Sequence, residues 1–127
     1  MKNNGGMTLV EVLVAMAIVF IVFLGMSSAG LVVLDQNIKN SQRDEAVSVA
    51  EMEMEKVRSI PFAAIDNDSR IESRRIRGLN VGYNVVRTVL PLDSNNRRVT
   101  INVTWNRIEN QQTRTYNHTV LTIVRLR

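Results

Sequence analysis

Gly6-Met7-Thr8-Leu9-Val10-Glu11 opens an apolar stretch that continues to Leu34, and its reading decides the fold. From Val12 to Leu34 there are 23 residues without a formal charge. As a helix rising ~1.5 Å per residue, that run crosses a hydrocarbon core of ~30 Å. The six residues before Met7 carry one positive charge, on Lys2. Glu11 is the oddity, a carboxylate near the start of the apolar run. A charge at the centre of a membrane helix costs roughly 2.5–3.5 kcal/mol on insertion scales, and less toward its end. A chain that retains such a group has a use for it.

An ordinary secretory signal places its small-residue cleavage site after the apolar region. Here Asp35-Gln36-Asn37 follows Leu34 and offers no such site. A plain membrane anchor explains the apolar run but neither Glu11 nor the paired glycines Gly5 and Gly6. A basic leader, a glycine, then Met-Thr-Leu-Val-Glu at the head of a long apolar helix resembles the class III signal of type IV prepilins. The resemblance implies cleavage between Gly6 and Met7 by a membrane-embedded prepilin peptidase, followed by methylation of the new amine on Met7. The family's glutamate five places after the cut falls on Glu11, where it implies a contact with the N-terminal amine of a neighbouring subunit. Leader (1–6), transmembrane or fibre-core half-helix (7–34) and globular domain (35–127) are the expected divisions. The chain is then a precursor with a single pass through the cytoplasmic (inner) membrane and its C-terminal domain periplasmic or extracellular. Its implied partners are the peptidase, other pilin subunits and a pilus or secretion assembly platform.

Beyond residue 34 there are 93 residues, enough for one modest core. With no cysteine in the chain, a disulfide framework, a thiolate metal site and a cysteine nucleophile are all excluded. Charge is split: residues 1–60 hold five Lys/Arg and seven Asp/Glu, net −2, and residues 61–127 hold eleven and five, net +6.

No proline interrupts Met7 to Ile60. Past Leu34, Ile38, Ala46, Val49, Ala50, Val57 and Ile60 share one face of a helical wheel, with Val47 and Met54 at its margin. Pro61 disfavours helix at the residue before it and supplies the stop. The spacing therefore predicts one helix of about 50 residues, its first half apolar all round and its second half amphipathic. Gly25, Ala29 and Gly30 are small residues on the apolar half that permit close helix packing. Residues 61–70 read as a connecting loop, and Ile71 to Arg77 as a short edge strand or irregular segment. Gly82 to Leu90, Arg97 to Asn106 and Thr113 to Leu126 read as strands, the second alternating with Val99, Ile101, Val103 and Trp105 on one face. Short polar turns at 93–96 and 109–112 favour antiparallel neighbours. The expected fold is α+β: a long N-terminal helix packed on an antiparallel sheet of three or four strands.

Candidate chemistry is sparse. His118 is the one histidine and reads as structural. Glu51, Glu53 and Glu55 each turn about 200° from the next on a helix, so they read as solvated or partner-facing. No phosphate loop, nucleophile elbow or metal-ligand spacing is present, so no enzyme, catalytic residue, metal or cofactor is expected. Arg70, Arg74, Arg75 and Arg77 form a possible anion-binding patch. Binding of nucleic acid there is the less favoured reading, against contact with acidic residues of other subunits. Asn102-Val-Thr104 and Asn117-His-Thr119 match the glycosylation triplet but fall inside predicted strands. The expected function is structural, a pilus subunit resembling minor pilins of the pilus-modification kind. The alternatives are a type II secretion pseudopilin or a DNA-binding competence pilin.

Overall fold

The structure, a computed structural model, describes residues 8–126. Helix α1 (Leu9–Ser59) is followed by a 3-10 turn (Phe62–Ala64) and four strands: β1 (Asp68–Ile76), β2 (Leu79–Pro91), β3 (Asn96–Glu109) and β4 (Gln112–Arg125). The chain forms two compact units divided within the helix, the first ending at Asn37 and the second beginning at Ile38.

In the first unit every described residue, from Thr8 to Asn37, is exposed. Phe20, Ile21 and Phe23 are each about two-thirds exposed, at 64%, 68% and 66%. So much continuous apolar surface needs an apolar surrounding. Composition and length allow this helix to cross a membrane.

In the second unit the helix buries Gln42, Ala46, Val49, Ala50, Glu53, Met54 and Val57, at steps of three and four residues. The sheet has the order β1-β2-β3-β4 with every neighbouring pair antiparallel. Alternation decides which side faces the helix. Val81, Tyr83 and Val85 of β2 and Val99, Ile101, Val103 and Trp105 of β3 are buried, joined by half-buried Tyr116, Val120 and Val124 of β4. The β3 alternation thus faces the helix as its sequence predicts. Trp105 lies between Tyr83 and Tyr116, with ring centroids 5.8 Å from each.

Two hairpins turn on two residues each. Arg77 and Gly78 join β1 to β2 with φ of 48° and 87°, and Asn110 and Gln111 join β3 to β4 with 50° and 61°. Paired positive φ values match the right-handed twist of hairpin strands. Between β2 and β3, Asp93 accepts hydrogen bonds from the Asn95 amide and the Asn96 side chain, 2.8 and 2.7 Å.

The structure departs from the sequence reading in several places, among them the start of β2 at Leu79 and the end of β3 at Glu109. Residues 68–70, read as loop, are the start of β1, and Arg77 lies in the turn beyond that strand. The connecting segment is therefore shorter, and a full fourth strand pairs with β2 from Asp68↔Arg87 to Ile76↔Leu79. Strand β1 was obscured because its helix-facing positions, Arg70, Glu72 and Arg74, are charged rather than apolar. Glu53, read as solvated, is 1% exposed beneath the sheet.

Tyr83 fastens helix to sheet: its hydroxyl donates to the Gln42 carbonyl at 2.9 Å. Burial, helped by the nearby charge of Glu45, pushes this phenol from the ordinary 10 up to about 12. The raised value means the neutral phenol favours the folded state. That stability is fully present below pH 10 and is lost as pH rises toward 12. Alkaline unfolding followed by sheet circular dichroism should therefore show a stability loss across this window. Tyr83→Phe should flatten it, and an unchanged pH profile in the variant would assign the loss elsewhere.

Candidate functional site

The candidate site is the helix start. The first amide groups of a helix lack partners within it, so something else must satisfy them. Thr8 precedes the first helical residue, and its hydroxyl accepts from the Glu11 amide at 3.3 Å. In return the Glu11 carboxylate accepts from the Thr8 amide at 2.8 Å and from the Thr8 hydroxyl at 3.0 Å. This reciprocal Thr-x-x-Glu arrangement is a capping box. The carboxylate that membrane cost makes conspicuous is thus engaged within its own first turn. The sequence reading missed this role, although Thr-x-x-Glu ahead of an apolar run is a recognisable signal. The junction Gly6–Met7 lies outside the described residues.

Further along, a Cβ added at Gly25 or Gly30 would meet no atom within 4 Å, so both positions lie open on the isolated chain. Ala29 is exposed beside them. Ser27 and Ser28 turn their hydroxyls back to the carbonyls of Phe23 and Leu24, at 3.0 and 3.2 Å, which hides their polarity along the helix. Val12, Ala15, Met16, Val19, Phe20 and Phe23 line a shallow apolar groove on one side of this segment.

The four arginines read as an anion patch differ in their surroundings. Arg70 lies 2.6 Å from Glu53 as a charge contact, with further contacts to Asp68 and Glu72 at 3.8 Å. Arg74 lies 3.4 Å from Glu45 and 3.5 Å from Glu72. Arg75 and Arg77 are exposed, Arg75 on β1 and Arg77 at the hairpin tip. Arg87, on β2, donates to Glu53 at 2.7 Å and to the Asp66 carbonyl at 2.8 Å. Most of these guanidinium groups therefore serve to tie β1 and β2 to the helix.

His118 is half-buried on β4. The two Asn-x-Thr triplets face each other in register, Asn102 opposite Thr119 and Thr104 opposite Asn117. Next to them the Thr115 hydroxyl donates to the Asn106 side chain at 2.8 Å. The triplets are thus part of a cross-strand Asn–Thr ladder. Among the described residues no cluster of three metal-ligating side chains occurs.

Residues 1–27 match the family described as the prokaryotic N-terminal methylation motif, which is the class III signal. The match covers the leader and the first turns of the helix and leaves the sheet outside it. No curated protein and no solved structure shows a significant match to the chain. The methylation motif thus heads a 51-residue helix with a four-stranded antiparallel sheet packed on its later turns, a pilin-like α+β architecture, and it supports a type IV pilin-like protein.

Proposed function

We propose that this chain is a minor pilin, a structural subunit of a type IV pilus. Prepilin peptidase removes residues 1–6 and methylates the amine of Met7. The subunit is then held in the cytoplasmic membrane by residues 7–34, with its sheet domain on the periplasmic side. Gly25, Ala29 and Gly30 offer neighbouring helices a close approach when the subunit enters the filament. The observation that carries this reading is the methylation motif at the head of a capped helix whose first half is apolar and exposed. Engagement of Arg70 and Arg74 by carboxylates of the same chain favours a filament subunit over a DNA-binding one.

Intact mass and N-terminal peptide mapping of sheared filaments from the native host test the proposal. The expected product begins at Met7 and carries one methyl group on its amine. Filaments in which Met1 to Gly6 remain attached would sink the processing step.

A further inference from the structure

We propose that the cleft between α1 and strands β3 and β4 is a phosphate site, and that the phosphate it takes is the headgroup of an anionic phospholipid. The cleft lies wholly in the second unit and has a volume of about 320 Å³, within the range of small-ligand pockets. Lys39 and Arg43 line it from the helix, Arg107 from β3, and His118 from β4. Its aromatic wall is the Trp105–Tyr116 stack, whose planes differ by 23°. Lys39 reaches over that wall, with Nζ 5.4 Å from the Tyr116 ring centroid.

Charge selects the ligand. Three permanent cations from two elements line the one cleft, a set suited to the several oxygens of a phosphate. The nearby carboxylate, Glu109, is held below the usual carboxylate range first by the Tyr116 hydroxyl and then by the charges of Lys39, Arg107 and Arg114, so it offsets part of the positive charge here. It accepts from the Tyr116 hydroxyl at 2.7 Å and faces Arg107 at 3.6 Å and Arg114 at 3.7 Å. Asn117 and the His118 imidazole add neutral hydrogen-bonding groups to the same wall.

Position selects the source, and this step rests on the membrane-anchored reading proposed above. Lys39 and Arg43 follow the last apolar residue, Leu34, by five and nine positions. So short a separation in sequence from a membrane-crossing run is where basic residues meet anionic headgroups. Tryptophan and tyrosine rings beside such cations are the usual furniture of a membrane–water interface.

Trp105 is the chain's single tryptophan and reports on the cleft directly. The full chain in a neutral detergent is titrated with dihexanoyl phosphatidylglycerol, dihexanoyl phosphatidylcholine or inorganic phosphate while Trp105 emission is recorded. The expected result is a saturable change with phosphatidylglycerol, weaker for inorganic phosphate and for phosphatidylcholine. Lys39→Gln with Arg43→Gln should reduce the apparent affinity about tenfold or more, and Arg58→Gln, on the exposed end of the helix, should not. Circular dichroism of the double variant should match the parent, since neither side chain is buried. No emission change with any additive, or an undiminished response in the double variant, overturns the site. Saturation by inorganic phosphate without phosphatidylglycerol binding overturns the lipid source. A response to a peptide of residues 44–55 in place of phosphatidylglycerol hands the cleft to a neighbouring subunit and also overturns it. Flotation of both proteins with phosphatidylcholine vesicles tests the anchor separately: if neither floats, the membrane reading fails, whatever the cleft binds.

Discussion

Replacing Glu53 with alanine should destabilise the sheet domain by about 3–5 kcal/mol, the usual result of removing one member of a buried ion group. Glu53 is 1% exposed, and its two oxygens lie 2.7 Å from Arg87 and 2.6 Å from Arg70. Arg87 is itself buried, and its remaining hydrogen bond goes to the Asp66 carbonyl. Truncating the glutamate would leave two guanidinium groups under the sheet without the carboxylate that compensates them. Edge strand β1 should loosen first, because Arg70 is one of its links to the helix. Glu51→Ala and Glu55→Ala, on the exposed side of the same turns, should stay within about 0.5 kcal/mol of the parent. Urea unfolding of the detergent-solubilised chain, followed by the sheet signal, compares the three. A Glu53 variant as stable as the Glu51 variant would remove the ion group from the account of stability. Replacing Glu53, Arg70 and Arg87 together with apolar residues of similar volume should restore most of the loss, as burial of a whole ion group gives little net stabilisation.

That network also marks where the sequence stops being legible. Strand β3 is readable because Val99, Ile101, Val103 and Trp105 alternate with threonine and asparagine, and an apolar alternation has one buried face. The helix is readable across its whole length because no proline interrupts it before Pro61. Strand β1 obeys the same alternation, but its inward positions are Arg70, Glu72 and Arg74. Inward charges look like a surface until their partners are known, and those partners, Glu45 and Glu53, lie 29 and 17 residues earlier in sequence, on the helix. Spacing by two on the helix made Glu51, Glu53 and Glu55 seem equivalent, yet the turn of about 200° that separates each from the next is what sends Glu53 inward and leaves its neighbours in solvent. At the N-terminus the glutamate stood out by its membrane cost. Its local partner Thr8 was equally visible three residues upstream and was passed over.

Glu11→Ala should reach the membrane as well as the parent does and be depleted from sheared filaments by about tenfold or more, on the scale of one lost charge-assisted hydrogen bond. The capping box and the proposed intersubunit pairing both call on this carboxylate, and a set of three variants separates them. The capping box satisfies the Thr8 amide and orders the first turn, a contribution of about 1 kcal/mol to the helix start. Pairing with the methylated amine of a neighbouring subunit needs the negative charge. Glu11→Gln keeps a side-chain oxygen for the box, since glutamine serves at that position, but it has no charge to offer an amine. Thr8→Ala removes the hydroxyl from the box and keeps the carboxylate. If the charge is what assembly requires, Glu11→Gln should be depleted like Glu11→Ala, and Thr8→Ala should enter filaments at near the parental level. Quantitative immunoblots of membrane and sheared fractions read all three in one experiment. Depletion of Thr8→Ala together with normal entry of Glu11→Gln would show that the ordered first turn, rather than the charge, is the requirement, and the intersubunit pairing would have to be given up.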